Sequence, residues 1–315
     1  MSKKICLHLI ILLICILTAT ASAFSQTRDS TDIPKLLSEV KIKSDENWRR
    51  VNVETVNYVF KVRQIWREAG KESRIKEKSE LYELYIPVKC PAKKCRVVTV
   101  LLEKNGKPLA ADRVEKSRAK ASEKIQDLET DKQARELPAE QPSRLVWMKF
   151  GYYVRRPNSA RYETVVRLDG QEILETCEFY APTRETINGR EAIGLSFRPR
   201  ADAVFSKESA YMPQSEGKIW IDATDKVLIQ TAIWQKGTNF PETTSDYLFA
   251  HAALALDMTR TAEGIWFNRL GRINGLAYPN LFAEMKGDYS VEHFDFHRFN
   301  TEIKEVEIYR SNKER

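Results

Sequence analysis

The stretch Gly217-Lys218-Ile219-Trp220-Ile221-Asp222-Ala223-Thr224-Asp225-Lys226-Val227-Leu228-Ile229-Gln230-Thr231-Ala232-Ile233-Trp234 decides how the chain is read. Alternating residues from Lys218 to Asp222, a polar quartet from Ala223 to Lys226 and a second run from Val227 to Trp234 spell a β-hairpin. Period two sets Ile219 and Ile221 on one face of the first strand, and Val227, Ile229 and Ile233 on one face of the second. The continuous apolar surface this makes must be covered, by protein alone or by protein plus a ligand.

Strand signals extend in both directions. Upstream, Ile193, Leu195 and Phe197 share a face after the turn pair Asn188-Gly189, and earlier runs fall at residues 145–154, 162–168 and 171–179, with Asp169-Gly170 read as a turn. Downstream, residues 246–256 read as a short helix beneath the sheet, followed by strand runs at 264–272 and 278–299, the second bent at Gly287-Asp288. In the first third a short helix begins at Asp32-Ile33-Pro34 and a meander follows. There Val56, Tyr58, Phe60, Val62 and Trp66 share one face of a long strand, while Asn57, Lys61, Arg63 and Arg67 share the other. Residues 109–137 break the pattern, being rich in Lys, Glu, Arg and Ala, with a thin apolar stripe of Val114, Ala121, Ile125 and Leu128. That segment should be a helix along the outside or rim of the sheet. Ten or so antiparallel strands in one sheet curl, so the fold class expected is mainly β (α+β): a curved antiparallel half-barrel of about eleven strands with helices packed on the concave face.

The chain begins with Lys3 and Lys4, an apolar run from Leu9 to Leu17 and the small residues Ala21-Ser22-Ala23, which read as a signal peptide over 1–23. The run is too short for an anchor, so a periplasmic, exported protein is expected, with residues 24–315 forming a single domain carrying a charged helical insertion near 109–143. The net charge of +7 loses two with Lys3 and Lys4, and basic residues are interspersed with acidic ones, which argues against nucleic acid as a partner. In an oxidising compartment Cys90 and Cys95, with four residues between them and lying between strand-like runs, read as a disulfide loop clamping a turn, and Cys177 as a free, buried thiol.

Nothing in the chain matches a nucleophile elbow, a phosphate loop, a dinucleotide fingerprint or a zinc-protease helix, so neither an enzyme nor a cofactor is expected. The sharpest candidate metal site is His293, Asp295 and His297, which on a regular strand would project from one face. The plainer reading is the solvent face of a terminal strand whose Phe294 and Phe296 pack inward. Asp222 and Asp225 flank a turn and are accounted for by turn hydrogen bonding. Trp66, Trp220, Trp234 and Trp266 are numerous enough to line a pocket, though aromatics in sheets usually serve the core.

Gly189-Arg190-Glu191-Ala192-Ile193 leading into an apolar strand, then Gly217-Lys218-Ile219-Trp220-Ile221-Asp222 with Val227-Leu228 after the turn, resembles the LolA-like periplasmic lipoprotein-carrier superfamily, the outer membrane lipoprotein-sorting proteins. Gly264-Ile265-Trp266-Phe267-Asn268 and Asp288-Tyr289-Ser290 look like that family's final strands, so the resemblance covers mainly residues 184–299. It implies an eleven-stranded half-barrel around a cavity for lipid or lipoprotein acyl chains. Tyr58, Phe60, Trp66, Ile219, Ile221, Val227, Ile229 and Ile233 are the candidate cavity residues. Two alternatives come from other classes. One is an envelope sensor or interaction module with a membrane-protein partner on the same fold; the other is a metal-dependent hydrolase centred on His293 and His297.

Overall fold

The computed structural model describes residues 31–54, 58–69, 74–85, 89–90, 98–130, 135–136, 146–154, 162–240, 244–282, 285 and 287–298. Helix α1 (Ile33–Glu54) leads into strands β1 (Tyr58–Ala69), β2 (Ile75–Tyr85), β3 (Lys89–Cys90), β4 (Val98–Lys104) and β5 (Lys107–Pro108). Helix α2 (Ala111–Thr130) is followed by β6 (Arg135–Glu136), β7 (Val146–Val154), β8 (Tyr162–Asp169) and helix α3 (Gly170–Thr176). Then come β9 (Cys177–Ile187), β10 (Arg190–Pro199), β11 (Ser215–Asp222), β12 (Leu228–Gln235), helix α4 (Ser245–His251), β13 (Leu254–Arg260), β14 (Trp266–Asn274) and β15 (Gly287–Arg298).

Eleven strands form one antiparallel sheet in the order β5-β4-β2-β1-β15-β14-β13-β12-β11-β10-β9; it is curved and open, as expected from the strand count. Two meanders, one from each end of the chain, are joined side by side where β1 pairs β15, from Tyr58 opposite Arg298 to Glu68 opposite Gly287. Pairs β3–β6 and β7–β8 stand outside this sheet. Among the described residues its edges are β5 and β9. The first is two residues long and contains Pro108; the second carries Ala181 at φ +50° followed by Pro182. Both devices discourage another strand from adding on.

Directly paired residues share a face, which makes the two faces legible from the register. One is apolar: Leu195 opposite Ile219, Thr231 opposite Leu256, Ile233 opposite Leu254, Leu254 opposite Ile273, Ile273 opposite Tyr289 and Tyr289 opposite Trp66. Helix α1 packs into this face through Leu36 and Val40, spaced one turn apart. The same cluster takes in Ile173, Tyr211, Met212, Leu248, Tyr278 and Phe282, so helices and loop segments from the second meander also cover it.

Polar side chains set on the C-terminal half of α1 fix its position. Asn47 donates Nδ2 to the Trp266 carbonyl and accepts the Trp266 amide, both at 2.9 Å and buried, while Arg50 reaches the carbonyls of Glu263 and Gly264. An amide side chain that replaces a strand partner in this way satisfies backbone groups that would otherwise be orphaned at the start of β14.

Helix α2 lies on the opposite face, the outside of the sheet, as expected for the segment 109–137. Glu83, which pairs opposite Lys61 and Val100, alternates away from Tyr58, Phe60 and Val62, and it is Glu83 that receives Arg118 of α2, Nε to Oε2 at 2.9 Å and Nη2 to Oε1 at 2.5 Å. Below that ion pair Ala121, flanked by Val114 and Ile125, packs on Val98 and Val100. Three residues of the thin stripe, Val114, Ala121 and Ile125, thus pack on the sheet, consistent with a helix on its outside.

Residues 171–179, expected as a strand, divide into α3 and the start of β9. Asp169 caps the helix, its side chain accepting the amides of Gln171 and Glu172. The Asp-Gly pair is a helix start here and not a hairpin turn. The stretch expected as a helix to Leu256 ends at His251, and β13 begins at Leu254.

Candidate functional site

At the hairpin, β11 and β12 are buried on both faces. Ile219, Ile221 and Ile233 are fully buried in the apolar cluster, with Val227 and Ile229 beside them. A bulge between Trp220 and Ile221 brings Ile221 opposite Leu228. The turn is held by Asp222, whose Oδ1 accepts the amides of Thr224 and Asp225, and Lys226 takes φ +55°. Asp222 also receives Arg190, Nε to Oδ2 at 2.5 Å. Burial pushes its carboxyl up, but the hydrogen bonds and charge of Arg190 and the turn amides outweigh this and hold it below the usual range. Asp225 extends the network, accepting Trp266 Nε1 at 3.0 Å and Arg260 Nε at 2.8 Å.

The other face of the hairpin is polar yet closed. Trp220 is fully buried, its Nε1 donating to Glu185, which also receives Lys218 Nζ at 2.5 Å and Thr183 Oγ1 at 2.6 Å. Gly194 lies opposite Trp220, and a Cβ there would come within 2.7 Å of Lys218 Cε, so a larger residue would push the Lys218, Glu185 and Thr183 side chains out of this arrangement.

The remaining cavity candidates lie at the β1–β15 junction. Trp66 packs at 5.5 Å from Tyr289 against the main cluster. Tyr58 and Phe60 belong to a second, aromatic cluster with Val62, Ile265 and Phe267, bordered by Val51 of α1 and by Phe296. Its ring centroids stand 5.3 Å apart for Tyr58 and Phe267, 5.4 Å for Phe60 and Phe296, and 5.1 Å for Phe267 and Phe296. Beside this cluster opens a cleft of about 270 Å³ lined by Tyr58, Thr259, Arg260, Thr261, Ala262, Glu263 and Phe296. Tyr58 donates its hydroxyl to Glu263 Oε2 at 2.9 Å. No motif marks Arg260 or Glu263 in the sequence; both fall between the run read as a helix, 246–256, and the strand run at 264–272.

His293, Asp295 and His297 do not share a face. The register of β15 slips opposite Val59 to Lys61, and Asp295 sits in the left-handed region at φ +56°. His293 pairs with Val62 and His297 with Val59, residues of opposite parity. The extra residue of a bulge reverses the alternation assumed for a regular strand. His293 turns in beside Phe60, whereas Asp295 pairs with Lys61 and His297, both at 2.5 Å. No group of three metal-ligating side chains occurs among the described residues.

Cys177 is a free, buried thiol; burial pushes it up to about 12, against a hydrogen bond with Thr176 that lowers it. The Cys90–Cys95 pairing, like the signal peptide, lies outside the described residues. No described helix is long and apolar enough to cross a membrane.

No protein-family model and no curated protein matches the sequence. Among solved structures, the chain is similar to an outer membrane lipoprotein-sorting protein domain from Vibrio parahaemolyticus, at 9% identity and TM-score 0.31, covering 87% of this chain and 99% of that one. A LolA superfamily protein from Nitrosomonas europaea is similar at 7% identity and TM-score 0.29, covering 85% and 95%. A DUF1329 family protein from Desulfovibrio piger is similar at 10% identity and TM-score 0.30, covering 84% and 94%. The architecture stands on the strand order itself.

Proposed function

We propose that this is an exported, non-enzymatic protein that binds the acyl chains of a lipid or lipoprotein on the apolar face of its half-barrel, and so carries them through an aqueous compartment. One observation supports the reading above others: the apolar face runs unbroken from Leu195 and Ile219 through Ile233, Leu254 and Ile273 to Tyr289 and Trp66. Helix α1 lies over it with few fully buried apolar side chains, Leu36 and Val40, and is held by polar bonds to strand ends. An acyl chain replacing part of that cover would gain roughly 0.8 kcal/mol per buried methylene. Because α1 and the helices and loops of the second meander already bury this face, a bound chain would enter by displacing part of that cover.

The test is the composition of the protein purified without detergent. Lipid extraction with mass spectrometry should recover acyl lipid in stoichiometric amount, and a fluorescent fatty acid should bind with a blue-shifted emission. Absence of both would overturn the proposal. A membrane-protein partner captured with no lipid present would replace it with the sensor reading.

A further inference from the structure

The solvent side of α2 carries a column of cations, and from it we infer a docking surface for a membrane leaflet rich in anionic phospholipid. Arg113, Lys116, Lys120 and Lys124 follow one another at helical spacings of three and four residues, so they share one side of the helix within an arc of about 80°. All four are exposed. The column stands roughly a third of the way around the helix from Val114, Arg118, Ala121 and Ile125, which face the sheet, and it runs for about 16 Å. Among the described residues none of the four makes an ion pair, whereas in α1 Lys41, Lys43 and Arg49 each meet a carboxylate. The acids of α2 leave the column uncancelled: Asp112, Glu115 and Glu123 fall outside the arc, and Asp127 lies at its far end. Lysines four residues apart on a helix repel one another and cost it stability. Just before α2, Lys104 pairs directly opposite Lys107 across the β4–β5 turn, a second like-charge contact of exposed lysines without an ion-pair partner among the described residues. Both repulsions are relieved where an anionic surface supplies the counter-charge. The exposed residues described in α2 include no large apolar side chain, so the contact is one of charge along a straight column, which suits a flat layer of phosphates better than an apolar groove. This surface lies on the face of the sheet opposite the apolar wall, and it stands or falls apart from the acyl-binding reading.

Co-sedimentation of the purified protein with phosphatidylcholine vesicles, with and without phosphatidylglycerol, is the test. The protein should partition onto the anionic vesicles and be released as salt rises from about 0.01 M to about 0.5 M, which shortens the screening length severalfold. Lys116→Gln/Lys120→Gln/Lys124→Gln should lower partitioning roughly a hundredfold, each lysine at an anionic surface being worth about a factor of five. Lys116→Arg/Lys120→Arg/Lys124→Arg should keep it. Lys35, Lys207 and Lys236 are exposed elsewhere, and their change to Gln removes the same net charge, so that control should bind nearly as the wild type does. No partitioning onto anionic vesicles, equal partitioning onto neutral ones, equal loss in the two Gln triples or loss in the Arg triple overturns the proposal. Binding to poly-glutamate that depends on the column, with none to anionic vesicles, overturns it in favour of an acidic protein partner.

Discussion

Gly217 sits where the hairpin meets the apolar cluster, and a Cβ on it would lie 2.7 Å from Phe197 Cε1 and 2.6 Å from the Ala232 carbonyl. A backbone atom cannot yield as a flexible side chain does, so Gly217→Ala should cost about 1–3 kcal/mol, measurable as a lowered denaturation midpoint. His293 provides a second residue-scale expectation. Burial beside Phe60 pushes its imidazole from 6.5 down to about 4, against a hydrogen bond to the Asn268 backbone that raises it, and its Nδ1 is buried without a partner. The unfolded chain therefore binds more protons than the folded one between about pH 6.5 and 4, and stability falls as pH is lowered through that window. In His293→Phe that part of the slope should vanish from a series of chemical melts. Cys177 adds a third: with its thiol held at about 12, it should resist a thiol reagent at neutral pH until denaturant is added, as followed by mass spectrometry of the labelled peptide.

At the scale of elements, α1 shows why polar anchors matter. Asn47→Ala would leave both the Trp266 amide and its carbonyl unsatisfied in a buried place, at about 1–3 kcal/mol for the unmade bonds. Asn47→Asp would restore only the acceptor half, so its denaturation midpoint should lie between those of wild type and the alanine variant. Much of this scale was legible beforehand. The hairpin was expected at 218–222 and 227–234 and is found at Ser215–Asp222 and Leu228–Gln235, because β-branched alternation around a polar turn has few other outcomes. The failures have specific causes. The Asp169 cap was hidden by a turn-like Asp-Gly pair, although Glu172 three residues on is a capping signal. The strand Leu254–Arg260 follows a helix after only two residues and is buried at its first five positions, so it presents no alternation. The aromatic cleft could not be foreseen, since β1 and β15 come from opposite ends of the chain and their pairing obeys no local pattern. Its bulge at Asp295 also undid the three-ligand alignment, which assumed an even pleat.

Seen whole, the molecule is a well-buried block of strands, β10 to β13, flanked by thinner margins. Every residue of β12 except Gln235 is buried, whereas β9 is exposed along most of its length. Hydrogen exchange should follow that gradient, slowest in β11 to β13 and fastest in β9 and β5, read residue by residue on the native protein. The β1–β15 ladder joins the most distant parts of the described chain, so strands β1 and β2 should gain protection later than β11 and β12 in a pulse-labelled refolding experiment. The two guarded edges bear on capacity as well as on aggregation. A closed barrel fixes its girth through strand number and stagger, and cannot widen without shearing hydrogen bonds. Here β5 and β9 are not joined, so the sheet can flatten or tighten by small changes of twist at each strand while every ladder stays intact. The curvature of the wall is thus adjustable, and under the proposed acyl-binding role it would let one sheet take guests of different girth.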